Sequence, residues 1–149
     1  MGGKYFEEFA VGQTFAHEIR RTVTDMDNIL FSSLTYNPAA IHIDHEYAKT
    51  TEFGKPLVNS IFTLGLVVGL SVQDTTLGTT VGNLGWEDVA FPKPVFAGDT
   101  IRAGTEVVAL RESKSRPTQG IVTFAHKGFN QRGEVVCTCR RVALMLRKP

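Results

Sequence analysis

The longest apolar stretch runs from Val58 to Val72, interrupted by Asn59, Ser60, Thr63 and Ser71 and by two glycines. Its non-polar positions fall on nearly every side of a 3.6-residue helix, so it predicts a helix over Asn59 to Gln73 buried within the protein. Gly65 and Gly69 lie four apart on one face of that helix, where another backbone or a ligand can approach closely. Before it, Thr14 to Val23 suits a strand. Thr24 with Asp27 three residues later makes a capping box with Asp in place of the usual Glu, and predicts a helix over Asp25 to Leu34. The stretch Thr35 to Asp44 has no period, and Pro38 disfavours helix at Asn37, so an irregular loop is expected. Asp44 can cap a short helix over His45 to Lys49, followed by a loop from Thr50 to Leu57. The second half changes to runs of Val, Thr, Phe and Ile, predicting strands at 79–90, 100–112, 118–130 and 134–147. Ala97-Gly98-Asp99 and Asn130 to Gly133 mark turns between them. Helices gathered early and antiparallel strands late predict an α+β domain whose sheet curls around the buried helix. In the last run both Val136, Val142, Leu144 and Val135, Ala143, Met145 are apolar, so both faces of that strand need cover. A homodimer, or an oligomer built from one, is expected.

Composition narrows the class. The 149 residues suit one domain, and 42% hydrophobic with 21% charged residues excludes a disordered or collagen-like chain. The formal net charge of +1 gives no footprint for nucleic acid. The Val58–Val72 stretch is shorter than the roughly 20 apolar residues that span a bilayer, so no membrane is expected. No basic-then-apolar signal opens the chain, and Phe6 where Ser or Thr is required argues against myristoylation at Gly2. Cys137 and Cys139 point to one side of a strand, are too few for zinc, and read as buried thiols in a reducing cytoplasm.

Chemistry concentrates on one histidine. His17 and His126 lie in predicted strands among polar neighbours, where a surface or structural role is expected, and His45 opens a short solvated helix. His42 lies on the irregular loop just before the buried helix, where a proton-transfer group is well carried by a rigid scaffold. Asn37-Pro38, Ile41-His42, Asp44 and Tyr47-Ala48 together resemble the hydratase motif of the MaoC-like family, the (R)-specific enoyl-CoA hydratases. That motif is Asp-x-Asn-Pro-aliphatic-His, then x-Asp and a short helix with a Tyr/Phe-Ala pair. The resemblance continues through Tyr5 to Phe15, Phe53 to Val58, Phe91 to Thr100 and Phe129 to Val136, in the family's order.

The resemblance implies a hot-dog fold, a dimer, and addition of water to a 2-enoyl-CoA with no cofactor beyond the CoA of the substrate. Position by position, the family His falls on His42, its Asp on Asn37, its preceding His on Asn59, and its oxyanion N–H on Ser60, where Gly is usual. The family's Asn-Pro pair falls on Ala39-Ala40, two residues after this chain's own. An amide at Asn37 orients water but takes no proton. Three readings follow: His42 acts as base with Asn37 holding water, Asp44 supplies the missing carboxylate instead of capping, or the site only binds acyl-CoA. The first is preferred. This variant resembles family members acting on mesaconyl- or itaconyl-type acyl-CoAs, whose own carboxylate an Asp would repel. Lys114 and Arg116 either cradle CoA phosphates or form a solvated hairpin, and Arg140 and Arg141 point to opposite faces. A hot-dog thioesterase is the enzyme alternative, disfavoured by the lack of Asp or Glu from Asn59 to Val72; a non-catalytic acyl-CoA-binding subunit is the other. His42-x-Asp44 is too small a ligand set for a metal.

Overall fold

A single long helix fills the concave side of a five-stranded antiparallel sheet. The computed structural model describes residues 2–149. In chain order the elements are β1 (Thr14–Thr22), α1 (Asp25–Leu34), α2 (Ala40–Ile43), α3 (His45–Ala48), α4 (Ser60–Thr75), β2 (Thr80–Ala90), β3 (Thr100–Glu112), β4 (Gln119–Phe129) and β5 (Val135–Leu146). The strands lie in the order β1-β3-β4-β5-β2, so β2 and β1 form the two edges.

The predicted strands and the buried helix are therefore present within one or two residues of their expected ends. Two elements differ. The stretch expected as irregular contains the single turn α2, with His42 on it. Helix α4 runs two residues beyond Gln73 and so carries an acid, Asp74, in its last turn.

Helix α4 begins where the Asn59 side chain accepts the Ile61 N–H at 3.1 Å. Its inner face places Val67 and Leu70 against Val23, Ile101, Ala103, Val136 and Cys137. Burying each such side chain contributes about 1.5–3 kcal/mol. Gly128 on β4 makes the close approach possible, because a Cβ there would run into the Val67 side chain. The outer face of α4 is open: apart from the adjoining residues and backbone of the helix itself, no atom lies within 4 Å of where a Cβ would stand on Gly65 or Gly69. The close approach expected at these glycines is thus not made within the chain.

Under the C-terminal half of α4 the sheet carries a buried polar row, His17, Thr105, His126 and Arg141. The Arg141 Nε–H donates to His126 Nε2 at 3.1 Å. A neutral His126 then carries its proton on Nδ1 and donates to Thr105 Oγ1 at 2.8 Å. The Thr105 hydroxyl donates on to His17 Nε2 at 2.8 Å, and His17 Nδ1–H donates to Asp74 at 2.7 Å. Both histidines are buried, so neither has the surface role that was one expectation for them. Polar sequence neighbours misled because alternate strand positions face opposite sides. Burial, then the Arg141 charge, pushes the His126 pKa down to about 3. Arg141 is 3% exposed and Arg140 is exposed, so the pair does split between faces. Cys137 and Cys139 are free and buried, and burial raises the Cys137 pKa to about 12.

Helix α1 is capped as expected: Thr24 Oγ1 accepts the Asp27 N–H at 3.2 Å, and Asp27 accepts the Thr24 N–H at 2.8 Å. Its faces are inverted relative to an ordinary surface helix. It buries Asn28 and Ser32 while Met26 and Leu34 are each 71% exposed.

Candidate active site

The inward polar face of α1 organises the segment carrying His42. Asn28 is 1% exposed, and its amide makes three bonds to backbone groups on two segments of the chain. Asn28 Nδ2 donates to the His42 carbonyl at 2.9 Å and to the Leu57 carbonyl at 3.0 Å. Asn28 Oδ1 accepts the Asn59 N–H at 2.9 Å. One carboxamide therefore holds α2 and the start of α4 in register.

His42 is oriented by the same carbonyl. Its Nδ1 lies 2.6 Å from the Leu57 oxygen, and a carbonyl only accepts, so Nδ1 carries the proton. The neutral ring then has its lone pair on Nε2, free to act as a base. Leu57 is itself fixed, its N–H donating to the Ile41 carbonyl at 3.0 Å. The next residue, Val58, donates to the Val95 carbonyl at 2.9 Å.

Asn59 is buried, and its carboxamide is committed to the α4 cap and, at 3.3 Å, to Ser32 Oγ. Ser60 is the first residue of α4, and its N–H has no acceptor among the described residues. It lines a cavity of about 220 Å³ with Thr63, Phe91, Lys93, Val95 and Val136. A free N–H at a helix start favours developing negative charge.

Asn37 is half-buried. Its main-chain N–H donates to the Ser32 carbonyl at 2.9 Å, and its Oδ1 accepts the Ala39 N–H at 3.1 Å. Ser32 thus joins the Asn37 turn to Asn59. Tyr36, just before it, adopts the left-handed conformation with φ 54°. Asp44 is exposed and caps α3 by accepting the Tyr47 N–H at 2.9 Å.

The structure brings His42, Asn59 and Ser60 together through Leu57 and Asn28. It does not bring Lys114 and Arg116 to them within one chain. Both are exposed in the hairpin after Glu112, whereas the Thr100 end of β3 adjoins the site. At about 3.3 Å per residue, the two ends of that strand are roughly 40 Å apart. Asn28 and Ser32 escaped the sequence reading. The available signal was a polar pair four residues apart in a helix whose remaining turns are largely apolar.

Comparison with known proteins places the chain in a family. Residues 7–128 match the MaoC like domain. Mesaconyl-CoA hydratase of Cereibacter sphaeroides is 35% identical over 146 residues, covering 98% of this chain and 42% of that protein. The chain therefore spans less than half the length of that relative. The (R)-specific enoyl-CoA hydratase of Aeromonas caviae is 34% identical over 108 residues, covering 72% of this chain and 75% of that one. A solved structure from Archaeoglobus, described as a monoamine oxidase regulatory protein, superposes with a TM-score of 0.87 at 34% identity, covering 100% of this chain and 98% of that one. A Mycobacterium tuberculosis protein described as a double hotdog fold superposes at 0.88 with 23% identity, covering 99% of this chain and 46% of that one. The sheet wrapped on α4 is thus the hot-dog fold, and the chain belongs to the MaoC-like domain family.

Proposed function

We propose that this chain catalyses reversible hydration of a 2-enoyl-CoA to a 3-hydroxyacyl-CoA, with a short branched or dicarboxylic acyl group of the mesaconyl or itaconyl type. The observation carrying this reading is the locked tautomer of His42, whose Nδ1–H is held by the Leu57 carbonyl at 2.6 Å. Nε2 takes a proton from water, the hydroxide adds to C3, and the same Nε2 returns the proton to C2. Such general base catalysis is worth about 10²–10⁴-fold. The Ser60 N–H donates to the thioester oxygen as negative charge develops there, and one such donor is worth about 10²–10³-fold. Asn37 orients the water through its Nδ2, its Oδ1 being engaged by Ala39. Asn59 acts by placing the α4 terminus, and Asp44 by capping the helix that follows His42. No cofactor takes part beyond the CoA of the substrate.

The test is a panel of enoyl-CoA substrates followed by mass spectrometry for a gain of 18 mass units. Turnover of mesaconyl- or itaconyl-CoA that His42→Ala abolishes supports the reading. Ready hydration of crotonyl-CoA with mesaconyl- and itaconyl-CoA ignored refutes the substrate class.

A second reading, an acyl-CoA-binding subunit without turnover, is favoured by the amide at Asn37. It requires CoA-thioester binding that His42→Ala leaves intact, with no product. A thioesterase is disfavoured by the position of the one acid on α4. Asp74 lies 14 residues beyond Ser60, about 21 Å along the axis, and is bonded to His17. A thiol-release assay separates the two reactions.

The working unit in this proposal is a homodimer. Edge strand β2 exposes Val81, Leu84, Trp86 and Val89, and α1 and α4 expose Met26, Leu34 and Ile61. A second copy of this chain would cover these apolar faces. No helix is long and apolar enough to cross a membrane. The two reduced, buried cysteines suit the cytoplasm, the compartment proposed here.

A further inference from the structure

The cavity beside Ser60 has one charged side chain on its wall, and it is a cation. Lys93 shares that space with Thr63, Phe91, Val95 and Val136, and no carboxylate lines it. Two prolines, Pro92 and Pro94, flank Lys93 and restrict the backbone from which it projects. One residue further, the Val95 carbonyl accepts the Val58 N–H at 2.9 Å, so the segment is tied to the approach to α4.

Lys93 has no ion pair or hydrogen bond among the described residues. The acid it influences, Glu134, has its pKa lowered first by the hydrogen bond from Arg132 and then by that from Asn130. Glu134 is thus already engaged by Arg132 Nε and, at 3.2 Å, by Asn130 Nδ2. Lys93 is thus an exposed, unpaired cation on the wall of a cavity otherwise lined by apolar and hydroxyl side chains. The positive end of α4 points into the same space. Asn37 and Asn59, the polar side chains that flank His42 and Ser60 in the site, are amides and add no charge. The cavity wall and the helix terminus that opens onto it therefore carry positive charge only, which suits a bound anion.

We propose that Lys93 is a specificity-determining residue, whose ammonium pairs with a second carboxylate on the acyl group and selects dicarboxylic enoyl thioesters over uncharged ones. This rests on the hydratase reading above and names the group that would read the substrate's charge. An ammonium is a compact point charge on a flexible stem, suited to a single carboxylate of variable position.

The experiment is calorimetric titration of the whole protein with mesaconyl-CoA, crotonyl-CoA and free CoA, comparing wild type, Lys93→Gln and Lys93→Arg. Without the charge-assisted hydrogen bond from the ammonium, Lys93→Gln is expected to bind mesaconyl-CoA about 10- to 100-fold more weakly, with crotonyl-CoA and CoA changed by less than about 2-fold. Lys93→Arg is expected to keep most of the mesaconyl-CoA affinity. Equal losses for all three ligands would show that Lys93 meets the coenzyme rather than the acyl group, and would overturn the proposal. So would no loss for mesaconyl-CoA in a folded Lys93→Gln protein. Turnover is measured on the same samples. If wild type hydrates neither thioester, the hydratase reading fails while the titration still decides the role of Lys93.

Discussion

Replacing Asn28 with alanine removes one buried carboxamide and three hydrogen bonds, to the His42 and Leu57 carbonyls and from the Asn59 N–H. The Leu57 carbonyl keeps a partner in His42 Nδ1–H. The Asn59 N–H and the His42 carbonyl lose theirs, and a buried polar group left unpaired costs about 1–3 kcal/mol. The expected loss of stability is therefore about 2–4 kcal/mol, with some recovery if water enters the space. For a domain of this size, that lowers the melting temperature by roughly 5–15 °C. Activity should fall further than stability explains, because Asn28 fixes both the segment carrying His42 and the helix terminus carrying Ser60. A kcat reduced at least about 10-fold at a temperature where the variant is folded is the expected result, since general base catalysis depends on placement. Urea unfolding and hydration kinetics on the same preparation check both parts. Asn28→Asp sharpens the comparison, because it still accepts the Asn59 N–H but sets a carboxylate against two carbonyls. An Asn28→Ala protein with stability within about 0.5 kcal/mol of wild type and unchanged kcat would refute the organising role assigned to this residue.

Asn37→Asp restores the family carboxylate and should raise hydration of crotonyl-CoA while weakening mesaconyl-CoA binding, as read from kcat and KM on the two substrates; a fall on both would place Asn37 outside the water site. His126 titrates near 6.5 when unfolded and at about 3 in the fold. Between those values the unfolded chain holds the extra proton, so stability falls as pH drops from 6.5 toward 3, by up to about 5 kcal/mol. Urea unfolding at pH 7 and pH 4.5 should show roughly 3 kcal/mol of this loss, and His126→Gln should flatten it. Tyr36 is left-handed at φ 54° and 95% exposed. Tyr36→Gly should therefore stabilise the fold by about 1 kcal/mol in thermal unfolding. Gly128→Ala drives a Cβ into Val67 and should destabilise by about 1–3 kcal/mol in the same assay.

Much of this architecture was legible locally. The run from Val58 to Val72 has no polar face, and such a helix is stable only if covered, so a sheet wrapped around it followed from periodicity alone. The Thr24–Asp27 capping box and the Asp44 cap are contacts across three residues, and both formed as read. The turn carrying His42 was not legible, since four residues are too few to display a period. For His17 and His126 the choice between a surface and a structural role stayed open, because the partners that bury them come from other strands. Helix α1 shows the same limit. Its capping box predicted a helix, but not that Asn28 and Ser32 would turn inward.

The sequence by itself determined the strands and the longer helices, their order and the fold class, and it marked His42 as the candidate acid/base. These depend on periodicity and on contacts within a few residues. Only the tertiary structure decided how that histidine is held. Asn28 reaches His42, Leu57 and Asn59, which are 14 to 31 residues away in the chain. Lys93 meets Ser60 across one cavity although 33 positions separate them. A buried amide or a lone cation acquires its role from what folding places around it, and no spacing along the chain encodes those neighbours.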